Sequence, residues 1–199
     1  MADPSYIDAD GVLTDGDAWV AVGSTTLGTT TSTVTFTSTD DGQVGDFSQY
    51  MDLVMLVYCQ QDQADNTCLL NLVLNGSSGA SGYNTQWLEC PASGTASVAT
   101  ALTRGSRLYG VYTPGTSTSS FGASIWHFAD VNAGKYQSIV WQGASDVGVS
   151  SGNGFCAIGG GCWMKVEALT SIQCYRASVG FSAGSRFDLY GVLPRMVTA

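Results

Sequence analysis

The chain is a succession of short strand-length runs closed by turns, and no segment repeats its apolar residues at helical spacing with caps. The runs are Trp19 to Val22, Thr30 to Ser38, Met51 to Cys59, Thr67 to Asn75, Asn84 to Cys90 and Arg107 to Thr113. They continue with Ser124 to Phe128, Tyr136 to Gln142, Phe155 to Ile158, Cys162 to Val166, Ser171 to Tyr175 and Phe187 to Leu193. Thr30 to Ser38 sets Val34 and Phe36 among Thr and Ser with period two, the mark of a strand. Met51 to Cys59 is almost wholly apolar and predicts a strand buried on both faces or central in its sheet. Asn75-Gly76 and Pro114-Gly115 stop their strands, and Gly152-Asn153-Gly154 and Gly159-Gly160-Gly161 read as hairpin tips. Many short strands with 25 glycines among them predict an all-β sandwich of two antiparallel sheets about 10 Å apart. Five Trp and seven Phe would fill much of its core.

A length of 199 residues suits one such domain. Residues 1–17 are acidic and turn-rich and read as an N-terminal arm, leaving residues 18–199 as the single β-sandwich domain. Charged residues make up only 12 % of the chain, and the formal charge is −9. An acidic field repels phosphate backbones and acidic lipid surfaces, and Arg104, Arg107, Arg176, Arg186 and Arg195 are scattered. No nucleic-acid partner is expected. No apolar run approaches the ~20 residues that cross a bilayer as a helix, so no membrane is expected either. Met1-Ala2-Asp3-Pro4 lacks a basic and an apolar signal region, which predicts synthesis and folding in a cytosol.

The six cysteines are Cys59, Cys68, Cys90, Cys156, Cys162 and Cys174. Reduced, buried thiols are the expectation in a cytosol. Zinc would ask for a C-x-x-C pair, and none occurs. Cys59/Cys68 and Cys156/Cys162 each flank an expected hairpin, where a cross-strand disulfide is the alternative after release from the cell.

No constellation carries catalysis. His127, the single histidine, lies in an aromatic strand without a G-x-S-x-G elbow elsewhere, and reads as a hydrogen-bonded strand residue. Glu89 and Glu167 are the only glutamates, and no carboxylate pair stands out by spacing. Asp8-x-Asp10-Gly11 and Asp15-Gly16-Asp17 lack calcium-loop spacing and read as solvated turns. Tyr83, Trp87, Trp126, Trp141 and Trp163 read as core or interface residues before they read as a sugar platform. The expectation is no catalytic residue, no cofactor and no metal.

Several stretches, in order, resemble a family of tailed-bacteriophage minor structural proteins that decorate heads or build tail appendages. They are Asp17 to Ser24, Val34 to Ser38, Tyr50 to Val57, Leu72 to Gly76 with Tyr83-Asn84, Lys135 to Trp141, Glu167 to Tyr175, and the terminal Gly184-Ser185-Arg186-Phe187-Asp188-Leu189-Tyr190-Gly191. The likeness covers most of the chain from Trp19 onward. It implies a jelly-roll fold, a virion location after synthesis in the host cytoplasm, and no catalytic residues. The expected protein is then a non-enzymatic capsid decoration or cement protein. It would self-associate as a homotrimer, bind the major capsid protein, and clasp a neighbour with its arm. The alternative is a tail-fibre or tail-tip module that binds host glycans through the loops Ser77 to Tyr83 or Thr113 to Phe121.

Overall fold

A computed structural model describes residues 19–64, 69–79, 81–91, 97–116, 120–146, 154–175 and 179–193. The arm (residues 1–17), Cys68 and Gly152-Asn153 lie outside the described residues. The described residues form twelve strands: β1 (Trp19–Thr26), β2 (Thr33–Thr37), β3 (Asp52–Cys59), β4 (Leu69–Leu74), β5 (Tyr83–Pro91), β6 (Ser97–Gly105), β7 (Leu108–Tyr112), β8 (Gly122–Ala129), β9 (Gln137–Asp146), β10 (Gly154–Trp163), β11 (Ser171–Tyr175) and β12 (Arg186–Val192). A 3-10 turn, Phe47–Gln49, precedes β3.

The strands form two antiparallel sheets, an eight-stranded one in the order β1-β12-β3-β8-β9-β10-β5-β6 and a four-stranded one in the order β2-β11-β4-β7. The nesting is regular. The first strand pairs with the last, β2 with β11, β3 with β8 and β4 with β7. Without the insertions, β1-β12-β3-β8 faces β2-β11-β4-β7, the two four-stranded sheets of a jelly roll. Two hairpins lengthen one sheet: β5–β6, inserted between β4 and β7, and β9–β10, inserted between β8 and β11. The all-β, two-sheet sandwich expected from the sequence is what forms.

The core lies between the inner faces. Leu53, Met55 and Val57 of β3 and Trp126 and Phe128 of β8 meet Leu70, Leu72 and Leu74 of β4 and Ile172 and Cys174 of β11. Trp126 stacks on Trp141 with ring centroids 5.4 Å apart. Each large apolar side chain buried here contributes roughly 1.5–3 kcal/mol. Trp126 fits because β7 carries Gly110 opposite it; a Cβ there would lie 2.3 Å from the indole Cζ2. Trp19, in contrast, is on the surface and adds nothing to this core.

The largest departure from the sequence reading is at β10. Gly159-Gly160-Gly161 is no hairpin tip: the two runs predicted around it are one continuous strand, Gly154–Trp163. Close approach explains the glycines. A Cβ at Gly159 would lie 2.5 Å from Trp141 Cζ2 and 2.7 Å from Trp87 Cβ, and one at Gly161 would lie 2.4 Å from the Asn84 carbonyl oxygen. The triplet makes room for core side chains and the neighbouring strand rather than for a turn. Cys156 and Cys162 therefore share one strand, six residues or roughly 20 Å apart, and cannot form the expected hairpin disulfide. The sequence reading also missed β6 and ended β1 and β9 too early.

Candidate functional site

Alternation along each strand assigns one set of side chains to the core and the other to the outer face of the long sheet. That outer face would ordinarily be polar. Here its centre is apolar, and the antiparallel register aligns the residues in rows.

The middle row crosses Asp188, Leu56, Ile125, Gln142, Ile158 and Leu88 on six successive strands. One flanking row crosses Arg186, Tyr58, Ala123, Ala144, Cys156 and Cys90. The other crosses Tyr190, Val54, His127, Val140, Gly160 and Gln86. The first two rows, with Tyr190 of the third, line an open trough of about 960 Å³, with Leu56, Ile125, Ile158, Leu88 and Tyr58 among its residues. Several of these side chains face solvent to a degree unusual for their type: Ile158 57 %, Val140 57 %, Tyr58 51 % and Leu88 44 %.

Among the described side chains of this face, charge lies in the Arg186–Asp188 ion pair and at Asp52, which is hydrogen-bonded to His127. Arg186 Nε donates to Asp188 at 2.8 Å, and Ser24 Oγ donates to the same carboxylate at 2.6 Å. His127 Nε2 lies 2.6 Å from Asp52 Oδ2, and the other Asp52 oxygen accepts the Asp130 N–H at 2.7 Å. His127 is thus a hydrogen-bonded strand residue, flanked across the sheet by Val54 and Val140.

The remaining candidates are dispersed. Glu89 accepts the Trp87 indole N–H at 3.1 Å, while Glu167 is exposed in the connection between β10 and β11. No group of three metal-binding side chains occurs among the described residues. Trp126, Trp141, Trp163 and Tyr83 are buried, so none of them offers a ring to a sugar. Tyr83 is the named aromatic of the Ser77 to Tyr83 loop and starts β5 from inside the core, which removes that loop's anchor for a glycan. Phe121, from the second loop, stacks on Tyr58 at 4.9 Å beside the trough.

The apolar trough was not foreseen from the sequence. Its signal was available in the unbroken apolar character of Met51 to Cys59. That strand is central in its sheet, yet its outward Leu56 and Tyr58 stand on a face that the described residues leave open.

No family model matches this chain. No curated protein and no solved structure matches it either.

Proposed function

We propose that this protein is a non-enzymatic structural component of a bacteriophage virion, a capsid decoration or cement protein. It self-associates as a homotrimer through the outer face of its long sheet and binds the capsid lattice. The apolar trough carries this reading. Six strands at ~4.8 Å spacing and three outward rows at about 7 Å spacing span roughly 25 Å by 20 Å. That is roughly 500 Å², toward the upper end of the largest apolar patch an ordinary monomer exposes and more than half of the ~800 Å² per partner that a specific interface buries. The occupant is a second copy of this chain. Its charge of −9 would oppose association elsewhere on the surface, but the charged side chains lining the trough are Arg186 and Asp188, paired with each other.

Two further points support the particle role: the resemblance of the strand stretches to phage structural proteins, and the jelly-roll nesting. A lattice-bound protein gains strength from many modest contacts, so it needs no deep catalytic site. The acidic segment 1–17 is assigned to clasp a neighbour. Cryo-electron microscopy of purified particles tests the role: hundreds of copies on the head are expected, and a chain missing from the particle would defeat it. Removal of residues 1–17 should abolish particle binding while the circular dichroism spectrum of the sandwich persists. Undiminished binding would defeat the arm assignment.

The second reading, a glycan-binding tail module, is favoured by the exposed Tyr58 ring stacked on Phe121. A glycan array with the full chain separates the two; the decoration reading expects no bound glycan.

A further inference from the structure

Cys90 on β5 and Cys156 on β10 are direct antiparallel partners in the register, and both line the trough. Directly opposed residues have Cα atoms about 4.5 or 5.5 Å apart, according to whether the pair is hydrogen-bonded. A disulfide accepts Cα separations of roughly 4.4–6.8 Å. Either class of pair therefore falls within reach without backbone movement. Both side chains project to the same outer face and both are exposed, so a dissolved oxidant can approach them. The other described thiols differ. Cys59 and Cys174 are buried on inner faces. Cys162 sits at the far end of β10 with Asn84 and Ser138 as its cross-strand partners.

We propose that Cys90 and Cys156 form a cross-strand disulfide on the rim of the trough when the protein meets a disulfide oxidant such as oxidised glutathione. One thiolate attacks the glutathione disulfide, forming a mixed disulfide and releasing one glutathione. The second thiolate then attacks the protein sulfur, forming the Cys90–Cys156 bond and releasing the second glutathione. Two protein thiols are oxidised, one glutathione disulfide is reduced, and the two protons leave on the glutathione thiols. The bond staples the inserted hairpin β5–β6 to β10 and closes a long loop, which constrains the unfolded chain strongly. A chain made in a reducing cytosol would acquire it after release. The inference rests on the register and not on the particle role; oxidation takes place on the unassembled chain, since the proposed trimer would cover the trough that both thiols line.

The test incubates the full chain with oxidised glutathione, blocks residual thiols and maps cross-linked peptides by mass spectrometry. Trypsin leaves Cys156 and Cys162 on one peptide, so single variants assign the bond. The link should be lost in Cys90→Ser and Cys156→Ser and retained in Cys162→Ser. The oxidised protein should melt roughly 5–15 °C above the oxidised Cys90→Ser variant. Three results would overturn the proposal: a link that survives Cys156→Ser, a link that disappears in Cys162→Ser, or Cys90 and Cys156 still fully alkylated after oxidation.

Discussion

Tyr83 shows how one side chain joins the two sheets. It begins β5 in the long sheet, yet its hydroxyl accepts the Leu74 N–H at 2.8 Å and donates to the Leu74 carbonyl at 3.3 Å in the short sheet. Tyr83→Phe keeps the ring but strands a buried N–H, which costs about 1–3 kcal/mol in unfolding free energy. Burial also pushes the Tyr83 phenol up to about 12 from its ordinary 10.0. The folded value is the higher one, so the contribution is intact below pH 10.0 and is lost as pH rises toward 12. Denaturant titrations of Tyr83→Phe should show a smaller alkaline loss of stability than the wild type; equal losses would contradict this.

Asp46 has the opposite sign. It caps the turn Phe47–Gln49, and hydrogen bonds from Ser48 first, then from Gly42 and Ser38, hold its carboxyl below the ordinary 3.8 despite burial. Its contribution is present above 3.8 and is lost as pH falls through the lower folded value. Asp46→Ala should cost about 1 kcal/mol at neutral pH. The gap from the wild type should close in acid, as read by urea unfolding at neutral pH and near pH 2.

At the level of elements, β10 gives the sharpest test. Its glycines are needed by what lies beside them, so Gly161→Ala must displace the β5 backbone or Leu108. Overpacking of this kind costs about 1–3 kcal/mol. Gly28→Ala, where a Cβ meets nothing within 4 Å, should unfold close to the wild-type midpoint. Equal midpoints for both variants would remove the packing explanation. The same strand marks where sequence reading stops. Runs carried by β-branched and aromatic residues, such as Thr33–Thr37, Asp52–Cys59 and Ser171–Tyr175, were placed within a few residues because their pattern is local. Three consecutive glycines carry the local signal of a turn, and only Trp141, Trp87 and Asn84, distant in sequence, make them a strand. Ser97–Gly105 was missed because its small and polar residues give no alternation to follow. His127 was legible as a strand residue, but its Asp52 partner, 75 positions away, was not.

For the whole molecule, the decisive property is the imbalance between its surfaces. The chain carries a charge of −9, yet the centre of the long sheet's outer face presents aliphatic and aromatic side chains in register. The sequence carries only a partial signal of that face, the unbroken apolar run Met51 to Cys59, because outward and inward apolar residues look alike until the strands are ordered. Two substitutions of exposed side chains, Val140→Asp and Ile158→Asp, place charge on it without entering the core. Together they should dissociate the proposed trimer while leaving the melting of the sandwich nearly unchanged. Sedimentation velocity of the full chain at micromolar concentration, run beside this double variant, tests the central claim most directly. The account predicts a trimer for the wild type and a monomer for the variant. A wild type that sediments as a monomer up to about 100 μM, above the μM-to-pM range of specific interfaces, would contradict it.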